Sequence, residues 1–152
     1  MTKMDSNSSC ETYMATFSAF QPQQNLSVEK NNQFTILVAD DDQSIGEIVS
    51  QYLKFSGYNV LVAETGIEAL ALIELHHIDL IFLDDMLPMM DSLAVCAAIR
   101  KNYEIPIVML TAQDLLDYAA RAFQVGADGY VTKPFALSTL NLRIHGLLLT
   151  NP

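Results

Sequence analysis

The chain has 152 residues, which suits one domain with a sizeable core. Apolar residues make up 51% of the chain and charged residues 17%, a composition typical of globular rather than disordered proteins. The formal net charge of −10 argues against direct nucleic-acid binding, because few basic side chains are present to neutralise phosphates. No apolar stretch approaches the roughly 18 residues of a membrane span, and the N-terminus lacks the apolar run of a signal peptide. Cys10 and Cys96 are interpreted as reduced thiols of a cytoplasmic protein.

The first 33 residues differ in composition from the rest. Sixteen of these 33 residues are Ser, Thr, Asn or Gln, and apolar periodicity is missing. We therefore predict a disordered polar tail over residues 1–33 and a single domain over residues 34–152. The chain ends soon after the last predicted helix, so we expect either a stand-alone domain or a fragment whose output domain was removed.

From residue 34 onward, short apolar runs alternate with amphipathic segments. The predicted strands cover residues 34–39, 58–63, 78–83, 106–110 and 129–132. The predicted helices cover residues 45–56, 65–76, 92–100, 115–125 and 137–149. Short connections between five strand–helix units predict a doubly wound, five-stranded parallel sheet with helices on both faces.

Local signals support these helix boundaries. Gly57 and Gly126 stand where a helix C-cap is expected. Thr65 and Glu68 have the spacing of a capping box. Asp42 is interpreted as the N-cap of the first helix.

Polar residues with distinct chemistry follow four of the five strands. Asp40 and Asp41 follow the first strand, Asp84 the third, Thr111 the fourth and Lys133 the fifth. The carboxyl ends of parallel strands face one crevice, so these side chains are expected to meet there. Neighbouring carboxylates repel one another and need a cation or a proton between them. The three aspartates therefore predict a Mg²⁺ site.

Asp84 is the predicted reactive group. It follows a strand with no polar side chain, which holds it rigidly at the sheet edge. A carboxylate beside Mg²⁺ can attack phosphorus and form an aspartyl phosphate. Lys133 and Thr111 would supply an ammonium and a hydroxyl to the transferring group.

Five segments together resemble the receiver domain of two-component response regulators. The matching segments are residues 36–42, 79–84, 86–88, 109–112 and 126–135, in order and without obvious gaps. The resemblance covers about residues 34–149 and implies a flavodoxin-like fold. It also implies a phosphorelay protein that is not an enzyme. At most, the protein would catalyse its own phosphorylation and dephosphorylation.

The resemblance assigns a role to each site residue. Asp84 would be phosphorylated by a sensor histidine kinase or a phosphotransfer protein. Thr111 and Lys133 would contact the phosphoryl oxygens. Mg²⁺ would be gathered, directly or through water, by Asp40, Asp41, Asp84 and the backbone carbonyl of Met86.

The resemblance further implies a switch. Tyr130 matches an aromatic residue that turns inward when Thr111 is drawn to the phosphate, and the Lys133–Pro134 bond is expected to be cis. The surface read by a downstream protein would comprise the helix from Leu115, the strand at Tyr130 and the final helix. We expect a monomer or a weak phosphorylation-dependent dimer, without nucleic-acid or membrane binding.

The chain departs from the family pattern at four positions. Members often carry Gly where this chain has Met89 and Ser92, and Met tolerates unusual backbone angles less well, so the loop is expected to differ. Asp85 replaces a common apolar residue and would either slow phosphorylation or point into solvent. Gly129 replaces an Asp that the DNA-binding subfamily uses in its dimer, which argues against that dimer.

Three alternatives remain. Asp40-x-Asp42 resembles the nucleophile motif of haloacid-dehalogenase-type phosphatases, although that reading leaves Asp84 without a role. A flavodoxin-like cofactor binder would need a phosphate-cradling loop where this chain has three carboxylates. A pseudo-receiver that binds partners without phosphorylation is the third.

Overall fold

The computed structural model describes residues 34–112 and 116–149 of the chain. Five parallel strands form one sheet in the order β2-β1-β3-β4-β5. The strands are β1 (Thr35–Ala39), β2 (Asn59–Ala63), β3 (Leu80–Asp84), β4 (Ile107–Thr111) and β5 (Gly129–Thr132). The predicted doubly wound parallel sheet is confirmed. The tail over residues 1–33 stays a prediction, because it lies outside the described residues.

Five α-helices connect or follow the strands. They are α1 (Gln43–Phe55), α2 (Gly66–Leu75), α3 (Ser92–Asn102), α4 (Leu116–Gln124) and α5 (Leu137–Ile144). The predicted helices are confirmed to within a few residues, except at the end of the chain. There the expectation of one regular helix through Leu149 was wrong, because His145–Leu149 is a π-helical turn. No helix in the described ranges is long and apolar enough to cross a bilayer.

The sheet has a core on each face because successive strand residues point to opposite sides. One face carries Leu83 and Met109 and is covered by α2, α3 and α4. The other face carries Phe82 and Leu110 and is covered by α1 and α5. All five residues of β3 are buried, as expected of a central strand in a parallel sheet.

Helix caps fix the connections at both edges of the sheet. Asp42 Oδ1 accepts hydrogen bonds from the backbone N–H groups of Ser44 (2.9 Å) and Ile45 (3.2 Å), which confirms Asp42 as the N-cap of α1. Gly57 and Gly126 have φ angles of 101° and 109°, the left-handed conformation that glycine adopts without strain at helix ends. The two glycines therefore end α1 and α4 in sharp turns that lead into β2 and β5.

The predicted capping box at α2 is altered by one residue. Thr65 Oγ1 accepts a hydrogen bond of 3.0 Å from the Glu68 N–H, as expected. Glu68 Oε1 accepts instead from the N–H of Glu64, at 2.8 Å, one residue before the cap. Both interactions still satisfy donors at the start of the helix.

The strand order explains where a site can form. β1 pairs with β2 on one side and with β3 on the other, so the chain reverses its direction of winding between β1 and β3. A crevice opens at such a switch point, above the carboxyl ends of the strands. Asp40 follows β1 and Asp84 ends β3, so the two carboxylates flank this crevice.

Candidate functional site

Three aspartates meet above the switch point of the sheet. Asp40, Asp41 and Asp84 each offer a carboxylate oxygen, and these oxygens lie within 4.8 Å of one another. Asp40 and Asp84 are almost fully buried, whereas Asp41 is exposed. The structure thus brings together the three side chains that the sequence predicts as metal ligands.

Lys133 joins this cluster from the end of β5. Its ammonium donates a hydrogen bond to Asp84 Oδ1 and lies 3.7 Å from Asp40 Oδ2. The Lys133 N–H donates to the Thr111 carbonyl at 2.8 Å, which continues the β4–β5 ladder beyond the strand. The Lys133–Pro134 peptide bond is cis, as predicted. The ammonium partly offsets the negative charge of the aspartates.

Burial and charge act in opposite directions on the pKa values of this cluster. Burial raises the pKa of Asp84, and the hydrogen bond and charge of Lys133 only partly oppose that rise. Burial likewise raises the pKa of Asp40, opposed by the hydrogen bond from the Asp42 N–H. For Lys133, burial alone would lower the pKa, but the hydrogen bond to Asp84 and the nearby negative charges raise it. Burial therefore makes the charged forms of Asp40 and Asp84 unfavourable, and a further cation would stabilise them.

Two hydrogen bonds orient Asp84. The backbone N–H of Met86 donates to Asp84 Oδ2 at 3.2 Å. The buried Ser92 hydroxyl donates to the Asp84 backbone carbonyl at 2.5 Å, which ties the start of α3 to the end of β3. Ser92, known from the sequence only as a departure from the family pattern, is thus a contact of the site. The role of the Met86 carbonyl as a metal ligand stays a prediction.

The cluster fits a hard divalent cation such as Mg²⁺. Asp40 Oδ2 is buried and accepts no hydrogen bond from any residue that the structure describes. The Lys133 ammonium lies 3.7 Å from this oxygen, too far for a hydrogen bond, so a cation bound directly to the oxygen would stabilise it further. The three carboxylates offer oxygen ligands, the type of ligand that Mg²⁺ prefers.

Thr111 does not face this cluster. Its hydroxyl donates a hydrogen bond of 2.8 Å to Asp85 Oδ2, and both side chains are buried. The possibility that Asp85 points into solvent was therefore wrong, since its exposed fraction is 9%. The sequence did not predict this pair, because it forms only when β3 and β4 adopt one particular register.

Tyr130 lies at the border between β5 and α4. Its half-buried ring contacts Phe123 of α4 edge to face, with ring centroids 6.2 Å apart. Phe123 was missed by the sequence reasoning, which gives no signal for this pair beyond an apolar residue on α4. A Cβ built on the neighbouring Gly129 would meet no atom of the described chain within 4 Å, so the surface is open beside Tyr130.

The loop after β3 contains an unusual backbone conformation. Met89 has φ = 74°, in the left-handed region, and its side chain is exposed. Non-glycine residues adopt this region at a cost of about 1–3 kcal/mol. Met89 therefore adopts an angle that Met tolerates less well than Gly, and the expectation that this loop differs from the family pattern stays a prediction.

The geometry also bears on the phosphatase alternative. That alternative needs Asp42 in the reacting cluster, but the Asp42 carboxylate caps α1. Asp84, to which the phosphatase motif gives no role, lies in the cluster with Asp40 and Asp41. The arrangement of the described residues therefore favours Asp84 as the reacting group.

Comparisons with known proteins point to one family. The family model described as "Response regulator receiver domain" matches residues 36–145. The probable transcriptional regulator ycf27 of Cyanidium caldarium is 43% identical over 121 residues, which cover 79% of this chain and 48% of that protein. The response regulator MprA of Mycobacterium sp. is 42% identical over 114 residues, or 74% of this chain and 50% of the relative. The chain spans about half the length of the curated relatives it matches.

Solved structures give the same result. The receiver domain of the Francisella response regulator 1452 is 34% identical, with a TM-score of 0.73, covering 76% of this chain and 96% of that one. The Vibrio cholerae chemotaxis protein CheY4 is also 34% identical, with a TM-score of 0.73, covering 76% of this chain and 98% of that one.

Proposed function

The chain belongs to the response regulator receiver domain family of two-component signalling, and on this premise we propose that Asp84 accepts a phosphoryl group from a sensor histidine kinase or a phosphotransfer protein. The proposal is carried by the cluster of Asp40, Asp41 and Asp84, whose carboxylate oxygens lie within 4.8 Å of one another. Asp84 also accepts a hydrogen bond from the Lys133 ammonium. The domain is a signalling phosphoacceptor rather than a classical enzyme.

The transfer is a displacement at phosphorus. One carboxylate oxygen of Asp84 forms a bond to the phosphorus of a phosphohistidine, and the phosphorus–nitrogen bond breaks. The electron pair of the broken bond goes to the imidazole nitrogen, which leaves as neutral histidine after taking up a proton. The Met86 N–H and Lys133 hold the two carboxylate oxygens of Asp84 in place before the reaction.

Mg²⁺ is the cofactor that fits the aspartates. Asp40, Asp41 and Asp84 would hold the ion and, as the family resemblance implies, so would the backbone carbonyl of Met86. When bound, the ion offsets the negative charge of the carboxylates and of the phosphoryl group. The buried Asp40 Oδ2, which accepts no hydrogen bond from the described residues, supports this assignment.

Lys133 and Thr111 contact the phosphoryl oxygens in this proposal. Lys133 already lies at Asp84, so a phosphoryl group attached there comes within reach of its ammonium. The Thr111 hydroxyl has to turn from its present partner on the opposite face of the sheet. That reorientation provides a link between phosphorylation and conformation.

The readout surface comprises α4, β5 and α5. Tyr130 lies on β5 beside α4, and in this proposal its ring turns inward when Thr111 moves. A downstream protein binds this surface, and the acidic chain favours a partner with basic groups. The match covers only 48% of the relative named a probable transcriptional regulator, so we propose that any DNA binding is a task of segments outside the matched region. A cytoplasmic location, where such kinases act, belongs to the same proposal.

Phosphosite mapping by mass spectrometry tests the proposal. We expect acetyl phosphate and Mg²⁺ to add one phosphoryl group to the wild type, at Asp84. Asp84→Asn should remain unmodified, whereas the neighbouring variant Asp85→Asn, as matched control, should still be modified at Asp84. Modification at Asp40 would support the phosphatase instead. No modification of the folded wild type would support a pseudo-receiver.

A further inference from the structure

We propose that Asp85 is a positioning residue that holds the Thr111 hydroxyl on the far side of the sheet from Asp84, so that the switch turns only when the Thr111–Asp85 hydrogen bond breaks. The inference rests on the proposed function, since it concerns how phosphorylation at Asp84 reaches Thr111. It assigns a role to a side chain that the transfer itself does not use.

The backbone places Asp84 and Asp85 on opposite faces. Asp84 lies opposite Leu110 in the β3–β4 register, and the Asp85 N–H donates to the Leu110 carbonyl at 2.9 Å. Asp85 therefore continues the ladder one step beyond β3. Because successive residues of a strand alternate, Asp84 faces the side of α1 and α5, and Asp85 faces the side of α2, α3 and α4.

Thr111 lies beside Asp85 on that second face. The two side chains are joined by a hydrogen bond of 2.8 Å, and both are buried. Hydrogen bonds to a carboxylate are stronger than those between neutral groups, and burial protects this one from competing water. The fixed backbone of Asp85 leaves the carboxylate little freedom to follow Thr111 elsewhere.

The chemistry of a hydroxyl makes the two positions of Thr111 exclusive. A threonine hydroxyl has one hydrogen to donate. While it is donated to Asp85 it is not available to a phosphoryl oxygen on Asp84. Asp85 thus stabilises the unphosphorylated arrangement, and the phosphoryl group has to compete with a carboxylate rather than with water for the same donor.

The test is a double-mutant cycle on the full chain, with beryllofluoride and Mg²⁺ as the phosphoryl mimic. Asp85→Val removes the acceptor and leaves an apolar residue of the kind common at this position. Loss of one hydrogen bond to a charged group changes a two-state balance by about tenfold, so we expect Asp85→Val to bind beryllofluoride about tenfold more tightly than the wild type. In the Thr111→Ala background, which has no hydroxyl to hold, the same change should alter affinity by less than about twofold.

The cycle separates this role from simple repulsion. A carboxylate that acts only through its negative charge would weaken binding equally in both backgrounds, and equal gains would overturn the proposal. So would no gain in the wild-type background. Asp85→Asn keeps the size of the side chain with a neutral acceptor, and an intermediate gain is expected. If Asp85→Val does not fold, the cycle is run with Asp85→Asn and judged in the same way.

A second measurement needs neither metal nor phosphoryl mimic. Methyl NMR of the metal-free protein reports the χ1 rotamer of Thr111, and we expect one rotamer in the wild type and averaging between rotamers in Asp85→Val. The same single rotamer in both proteins would overturn the proposal. Failure of the proposed function would look different, because the wild type itself would then not take a phosphoryl group at Asp84.

Discussion

The backbone N–H of Asp42 donates a hydrogen bond of 3.0 Å to Asp40 Oδ1. Through this bond the turn that starts α1 fixes one oxygen of the Asp40 carboxylate. The other oxygen, Oδ2, lies buried 3.7 Å from the Lys133 ammonium. Asp40 and Asp42 therefore have separate roles. Asp42 caps α1 and fixes the loop, whereas the Asp40 carboxylate lies in the crevice.

This division predicts which aspartates matter for Mg²⁺. Asp40→Asn and Asp41→Asn should each weaken Mg²⁺ binding by about tenfold or more, because each removes a charged oxygen ligand. Asp42→Asn is the matched control, since Asn caps helices as well as Asp and Asp42 lies outside the cluster. Calorimetric titration with Mg²⁺ measures the affinities. Equal weakening by all three variants would contradict the assignment.

Thr111→Ala should separate phosphorylation from switching. The variant should still be modified at Asp84, at a rate lowered by about tenfold or more, because one donor to the transferring group is lost. The ring resonances of Tyr130 should then no longer shift on phosphorylation. Thr132→Ala is the control, since Thr132 lies opposite Thr111 in the β4–β5 register but is exposed. A Tyr130 shift that survives in Thr111→Ala would remove Thr111 from the switch.

Met89→Gly should stabilise the domain. Glycine adopts the observed φ of 74° without strain, so we expect the free energy of unfolding to rise by about 1 kcal/mol. Urea denaturation measures it. Met86→Gly, at a position of the same loop without a positive φ and with an exposed side chain, should give no gain. A loss of stability in Met89→Gly would show that the Met side chain contributes more than the backbone strain costs.

Replacing Tyr118 or Tyr58 by Phe should change the free energy of unfolding in opposite directions. The Tyr118 hydroxyl is buried without a hydrogen-bond partner in the described part of the chain, and burial followed by the charge of Asp85 raises its pKa. Tyr118→Phe should therefore raise the free energy of unfolding by up to about 1 kcal/mol. The Tyr58 hydroxyl donates to Asn141 Oδ1 at 3.2 Å, so Tyr58→Phe should lower it by about 1 kcal/mol. Destabilisation by both variants would indicate a partner for Tyr118.

The raised pKa of Tyr58 also leads us to expect a lower free energy of unfolding at alkaline pH. Burial, followed by the charge of Tyr52, raises its pKa from 10.0 to about 12. A group whose pKa is raised on folding favours the folded state below its unfolded pKa, and that contribution disappears as the pH rises through the folded pKa. The free energy of unfolding should thus fall between pH 10 and about 12. In Tyr58→Phe the fall should be shallower, and an identical pH profile would contradict the assignment.

The fold could be predicted because its signals are local. Apolar runs, glycines in left-handed conformations and side-chain caps each depend on neighbouring residues, and Gly57, Gly126 and Asp42 all lie where these signals placed them. The end of α5 was missed, since nothing in the apolar spacing of residues 145–149 distinguishes a π-helical turn from an α-helix.

The aspartate cluster could be predicted for a different reason. Parallel topology gathers strand ends, so the meeting of Asp40 and Asp84 needs only the strand order. The Thr111–Asp85 pair needs the register of β3 against β4 and the face to which each side chain points. The sequence does not specify that register. The sequence around Met89 likewise carries no glycine or asparagine that would indicate its left-handed angle.

The strand order has one more consequence. β3, which carries Asp84, is the middle strand, and only β4 separates it from the outer strand β5 with Tyr130. The switch that we propose between Asp84 and Tyr130 therefore lies in one half of the sheet, on the side away from β2. Exposed positions on β2 lie on the other half, so we expect substitutions there to leave the proposed switch unchanged.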